Sequence, residues 1–366
     1  MVHWIGIGIA LFSNAKAAYW QRMRLRSVTL AVRVLCLALA SLRLPAQTAD
    51  LSFLNGNRPV LDAHNCYPYE GRWSDRLDRA LRVGFPVGIE QDLAWYRDPA
   101  SGKGRVLVSH TAKTTGSEPE ERQYFFERVR PLIEQQLATG DRAKWPLIIL
   151  HFDFKDQQPD LLHAVWDLLG EYEPWITTAP KGDDPHVLAP FDRKPILVLT
   201  EDSDAQEEIF FHNVASGSRL RVFGSAHTHL PDIKDEKRLT HLAATLPPSE
   251  LLSERPTNYR RWWNNSWFEV EEGGQRRAEV WTPADKARLR ALVDHAHGLG
   301  YWIRFYTLDG FEPAAGHENG WLAGYNFGSV TAVEERWRGA IEAGVDLIAT
   351  DQYEQLANVM RSKGNR

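Results

Sequence analysis

The chain has 366 residues, 43% hydrophobic and 25% charged, a balance ordinary for a soluble globular protein and ample for one large core. Its first 49 residues hold six basic residues and no acidic one, so the remainder sets 37 Lys and Arg against 48 Asp and Glu, a net of −11. That balance excludes nucleic acid, or an anionic bilayer, as a partner held by bulk charge.

The opening segment has the layout of a secretory signal that starts at Met23. Arg24 and Arg26 precede an apolar run from Val28 to Leu42, broken only by Arg33, and Pro45-Ala46-Gln47-Thr48-Ala49 supplies small residues for cleavage. The expectation is a targeting segment over 1–49, a single catalytic domain over 50–366, a secreted or periplasmic product and no stable membrane span. The apolar run Trp4 to Phe12 is the competing anchor. Cys36 falls in the segment, which leaves Cys66 alone in the remainder and no disulfide to form there.

Pro59-Val60-Leu61-Asp62-Ala63-His64-Asn65 is a short apolar run ending in a histidine and an asparagine, followed by a turn with Pro68 and Gly71. The spacing predicts a helix over 74–83, capped by Ser74 and stopped by Gly84. Val87 to Trp95 then reads as a strand carrying Glu90 and Asp92 two residues apart, hence on one face. Like charge and desolvation make such a pair costly unless a cation neutralises it; a wet strand face is the bland alternative.

Asp98 to Arg105 is a turn-rich excursion of hairpin length, and Val106-Leu107-Val108-Ser109-His110 is another short run ending in histidine. A scaffold helix spans 120–138. Pro146 to Lys155 is the strongest buried-strand signal, with His151, Asp153 and Lys155 on one face and the last two at its carboxyl end. A third carboxylate there can join Glu90 and Asp92 around one divalent cation, with Lys155 on a phosphate oxygen; a plain Asp153–Lys155 ion pair is the alternative.

Helix (160–172), strand (194–201), a short helical stretch (205–211) and a weak strand (219–224) follow, and then His227 and His229, a pair more in keeping with an exposed loop than with a metal site. The Trp-rich segment 253–278, with Arg260, Arg261, Trp262, Trp263 and Trp267, is read as a loop that lines a substrate mouth, packs on the body, or touches a lipid interface. Thr282 and Pro283 open a helix running to Gly298, Tyr301 to Asp309 is a strand, and Thr331 with Glu334 forms a capping box for a helix ending at Gly344. Val345 to Asp351 is the last strand. Strand and helix alternate throughout, which predicts a single (β/α)8 TIM-type barrel.

Together these residues resemble the phospholipase-C-like phosphodiesterase superfamily, which includes glycerophosphodiester phosphodiesterases and sphingomyelinase-D-type enzymes; the likeness is nearest to the group named for altered inheritance of mitochondria. The resemblance implies catalytic histidines at His64 and His110, metal ligands Glu90, Asp92 and Asp153, substrate phosphate held by Asn65 and Lys155, and Mg2+ or Ca2+ as cofactor. It implies metal-dependent cleavage of a glycerophosphodiester or phospholipid headgroup, one histidine taking a proton from the attacking hydroxyl and the other protonating the leaving oxygen. Asn at position 65, where glycerophosphodiesterases carry Arg, and Asp at 153, where they carry Glu, bear on the substrate. A secreted glycoside hydrolase and an inactive ligand-binding barrel are the rival readings.

Overall fold

The computed structural model describes residues 59–363 except Glu70, Arg277 and Glu279; the expected targeting segment, residues 1–49, lies outside the described residues. Among the described residues no helix is long and apolar enough to cross a membrane. The strands are β1 (Val60–Ala63), β2 (Val87–Arg97), β3 (Gly104–Val108), β4 (Ile148–Phe154), β5 (Ala179–Pro180), β6 (Ile196–Thr200), β7 (Arg219–Leu220), β8 (Phe223–Gly224), β9 (Trp262–Ser266), β10 (Trp302–Tyr306) and β11 (Leu347–Thr350).

Eight of them run parallel in the order β8-β6-β4-β2-β1-β11-β10-β9. A parallel bridge between Ser225 and Trp262 brings β9 back beside β8 and closes the ring. The N–H of Ala226 donates to the Trp262 carbonyl at 2.7 Å across that seam. This is the expected (β/α)8 barrel. Strands β1, β6 and β11 are buried along their whole length, as parallel strands covered by helices on one side and barrel interior on the other must be.

Local chemistry sets the crossovers. The helix Pro283–Leu299 opens with a reciprocal capping box between Thr282 and Asp285 and stops at Gly300, whose φ of 100° only glycine adopts freely. The helix Val330–Ala343 is capped two residues earlier than the sequence suggested: the Ser329 hydroxyl accepts from the Ala332 N–H, and Thr331 lies inside the helix. The stretch 219–224 splits in two, β7 pairing antiparallel with β5 outside the barrel and β8 joining it.

The excursion 98–105 is the hairpin its length suggested: β3 folds back antiparallel on the carboxyl-terminal half of β2, outside the parallel ring, and ends just before His110. Of the readings of the Trp-rich segment, packing on the body holds and lipid contact does not, although the segment is a barrel strand rather than a loop. Trp262 and Trp263 begin barrel strand β9, and they and Trp267 are 0% exposed, so none of the three can reach a bilayer.

Candidate functional site

All parallel strands point their carboxyl ends one way, and the chemistry gathers there. Register pairs Glu90 with His151 and Asp92 with Asp153 across β2 and β4, so the pleat that turns Glu90 and Asp92 to the interior turns Asp153 with them. Ligand oxygens of Glu90, Asp92 and Asp153 lie within 4.8 Å of one another. Burial and the neighbouring Asp153 charge push the Asp92 carboxyl well up, and burial with the charge of Glu201 pushes Asp153 up. Burial works against the charge of Glu90 as well, but His64 and then Arg304 outweigh it and hold that carboxyl down to about 2.

The donor set fits a hard divalent cation. It is all oxygen, and Asp92 Oδ1 is buried without a hydrogen-bond partner, an orphaned acceptor that such an ion satisfies. Asp92 Oδ2, in contrast, receives the Tyr67 hydroxyl at 2.6 Å and the Lys155 ammonium at 2.7 Å. Lys155 also bonds Asp153 Oδ2 at 2.6 Å.

His64 follows β1 directly and sits between two acids. Its Nδ1 is 2.8 Å from Asp351 Oδ1, and its Nε2 is 3.5 Å from Glu90 Oε2. Burial favours the neutral ring, but Glu90 and then Asp351 outweigh it and raise the imidazole to about 9. The rings of Tyr306 and Tyr325 flank it, with centroids 6.4 and 5.5 Å away. His110, just beyond β3, is exposed and packs edge-on against Tyr69. Partial desolvation, then the charges of Lys155 and His64, lower it, the opposite direction from His64.

Asn65 does not face open space, as a phosphate-binding role requires. Its side chain is engaged within the wall, where Nδ2 donates to Asp351 Oδ1 at 3.0 Å and Oδ1 lies 2.8 Å from the Tyr67 hydroxyl oxygen. Its backbone adopts φ 51°, a left-handed turn that asparagine tolerates well and that sends the chain from β1 into the Tyr67 loop. Cys66 is buried, and burial pushes its thiol up, consistent with a small apolar residue rather than a nucleophile.

Sequence reasoning missed a polar ring inside the barrel. Arg304 on β10 donates to Asp62 on β1, to Asn264 on β9 at 3.0 Å and to Glu90 at 3.1 Å. Asn264 in turn holds Glu201 at 3.0 Å, and Glu201 bonds His151 Nε2 at 2.7 Å. His151 Nδ1 is buried without a hydrogen-bond partner, 3.9 Å from Glu90 Oε1. The local signal for the ring was an isolated Asp in β1 and an isolated Arg in β10, each within an apolar run. His227 and His229 lie outside this ring; His227 Nδ1 pairs with Asp202 at 2.5 Å, and His229 is 3.8 Å from Glu254.

No protein-family model matches the chain, and no curated protein matches it. Among solved structures it is similar to a glycerophosphoryl diester phosphodiesterase from Parabacteroides distasonis, at 13% identity and a TM-score of 0.40 over 86% of this chain and 90% of that one. A second glycerophosphodiester phosphodiesterase from the same organism shows 12% identity and a TM-score of 0.41 over 84% and 98%. The wild-type HPPK-DHPS of Plasmodium falciparum, solved with pterin and p-hydroxybenzoate, shows 9% identity and a TM-score of 0.39 over 84% and 48%. Likeness at this level carries no argument about chemistry, which rests on the side chains above.

Proposed function

We propose that the chain is a metal-dependent phosphodiesterase acting on a glycerophosphodiester or a phospholipid headgroup. The observation that supports this most is the convergence of Glu90, Asp92 and Asp153 within 4.8 Å, with Asp92 Oδ1 buried and unpartnered, beside a histidine braced by Asp351. Glu90, Asp92 and Asp153 would hold Mg2+ or Ca2+, whose chemistry there is to polarise the phosphoryl oxygens and neutralise charge that builds on them.

The side chains of the chain do the remaining work. His64 and His110 supply one proton acceptor and one proton donor, for the attacking hydroxyl and the leaving oxygen respectively or in the reverse order. Asp351 keeps the His64 ring from rotating by accepting from its Nδ1, so that Nε2 faces the cluster. Lys155, bridging Asp92 and Asp153, would meet a phosphoryl oxygen brought to the cluster. Glu90 and Asp92 lie on one strand and Asp153 beside them in register, an adjacent arrangement rather than the opposed pair that sets two acids across a glycosidic bond. We read residues 1–49 as a targeting segment, and N-terminal sequencing of the exported protein tests that.

The deciding assay is release of nitrophenol from bis-p-nitrophenyl phosphate with and without EDTA. Chelator-sensitive turnover restored by Mg2+ or Ca2+ supports the phosphodiesterase. Chelator-insensitive release of sugar from glycosides overturns it in favour of a glycoside hydrolase, and no turnover on a broad panel favours a binding barrel.

A further inference from the structure

We infer that Lys155 competes with the cation for its ligands, so that this one side chain couples metal binding to phosphodiester binding; the inference rests on the phosphodiesterase reading above. The ammonium does more than form an ion pair at a strand end. It bridges Asp92 Oδ2 on β2 and Asp153 Oδ2 on β4, at 2.7 and 2.6 Å, and these are two of the three converging carboxylates.

The Lys155 backbone N–H is tied to the Leu93 carbonyl at 2.8 Å, which anchors the residue at the carboxyl end of the sheet. Its side chain is 20% exposed, that of Asp92 1% and that of Asp153 31%, so the ammonium joins a buried acid to one that reaches solvent. Asp92 Oδ2 also carries the Tyr67 hydroxyl at 2.6 Å, while Oδ1 has no partner.

A divalent cation bound by these oxygens sits at roughly 2.0 to 2.6 Å from its ligands. An ammonium still bonded to the same carboxylates would then stand a few ångströms from a double charge of its own sign, so each weakens the hold of the other. Lys155 has somewhere else to go. Its four-carbon stem is flexible, and the open mouth is where the anionic oxygens of a diester resting against the cluster would meet it. The diester therefore draws off the competitor and tightens the cation site, and by reciprocity the cation frees Lys155 and tightens the diester site.

The test is calorimetric titration of Mg2+, and separately Ca2+, into the full chain and into Lys155→Met and Lys155→Gln, each with and without saturating dimethyl phosphate. The Gln variant keeps a neutral hydrogen-bond donor at this position and guards against loss of fold, which far-UV melting curves monitor. Without the diester, both variants are expected to bind the cation about tenfold more tightly than the native chain. With it, the native site tightens by about tenfold, and the factor shrinks in both variants. Native binding as tight as that of the variants, or tighter, overturns the competition while leaving the cation site in place. No cation binding by the native chain or by either variant overturns the phosphodiesterase reading and the inference together.

Discussion

Asp351 Oδ1 lies 2.8 Å from Nδ1 of His64, although the two residues are 287 apart in the chain. The contact exists because β1 and β11 are neighbours in register, Ala63 against Thr350, so the next residue of each strand emerges on the same rim. Asp309 and Thr350 fix the acid in turn: Asp309 Oδ1 accepts from the Asp351 N–H at 2.8 Å and from the Thr350 hydroxyl at 2.6 Å. Burial and then the charge of Asp351 push the Asp309 carboxyl up to about 7.

Replacing Asp351 by Asn removes the charge that holds the imidazole while keeping its shape. His64 then titrates lower, as an NMR titration of the ring will show, and turnover of the diester falls by about 10²-fold or more. An unchanged ring titration would mean that Glu90 alone sets the protonation of His64.

Arg304 has the opposite role, as a cation spent entirely on structure around Glu90. It is 1% exposed and bonds Asp62 and Glu90 together. Arg304→Met leaves the buried Asp62 without its cation and Glu90 with His64 as its nearest positive partner, and is expected to cost about 3–5 kcal/mol in urea unfolding. Asp62 also explains Gly88 across the strand: a Cβ there would collide with the Asp62 carboxylate. Gly88→Ala therefore costs about 1–3 kcal/mol through overpacking, with a shift of Glu90 two residues on. An alanine variant as stable as the native chain would show that the Asp62–Arg304 pair yields easily.

Much of the site was legible because its signals are local. Glu90 with Asp92, and Asp153 with Lys155, show their shared face through a spacing of two, and β4, β10 and β11 announce themselves as apolar runs. What stayed hidden is what depends on closure of the barrel. In β9, Trp-Trp-Asn-Asn-Ser has no apolar alternation, because Asn264 meets Glu201 and Arg304 in the interior while Asn265, on the opposite face, bonds the carbonyls of Trp263 and Arg304. The part of Asp351 is hidden for the same reason, since no window of sequence contains both it and His64. Tyr67 gives no signal of its own because a tyrosine in a turn has many uses, and only the fold brings its hydroxyl to Asp92.

The buried tryptophans give a stability prediction in place of a lipid contact. Trp262 packs edge-on against His151 with ring centroids 4.9 Å apart, and its indole N–H donates to the Thr200 carbonyl at 3.1 Å. Trp262→Ala is expected to cost about 3–5 kcal/mol and to depress activity on vesicles and on a soluble diester alike. Loss confined to vesicles, with an unchanged melting temperature, would reverse this.

Glu269 gives a test that depends on pH and not on catalysis. It is 3% exposed, its Oε2 has no hydrogen-bond partner, and burial pushes its carboxyl up to about 8 against the pull of Arg288. Arg288 helps little because its guanidinium is spent on carbonyls, those of Glu269 at 3.0 Å, Leu246 at 2.7 Å and Ala243 at 2.8 Å. In the unfolded chain the same carboxyl ionises near its ordinary value of 4.5. Between that value and about 8 the unfolded state releases a proton that the folded state retains, so stability is fully present below the lower limit and falls as pH rises through the window. The loss sums to on the order of 3–5 kcal/mol, since each tenfold difference in proton affinity between the two states is about 1.4 kcal/mol. Glu269→Gln abolishes that dependence. Its urea midpoint should match that of the native chain near the acid end of the window and exceed it increasingly toward the alkaline end. A difference that stays constant with pH would mean that Glu269 is charged in the folded protein and paired after all with Arg288.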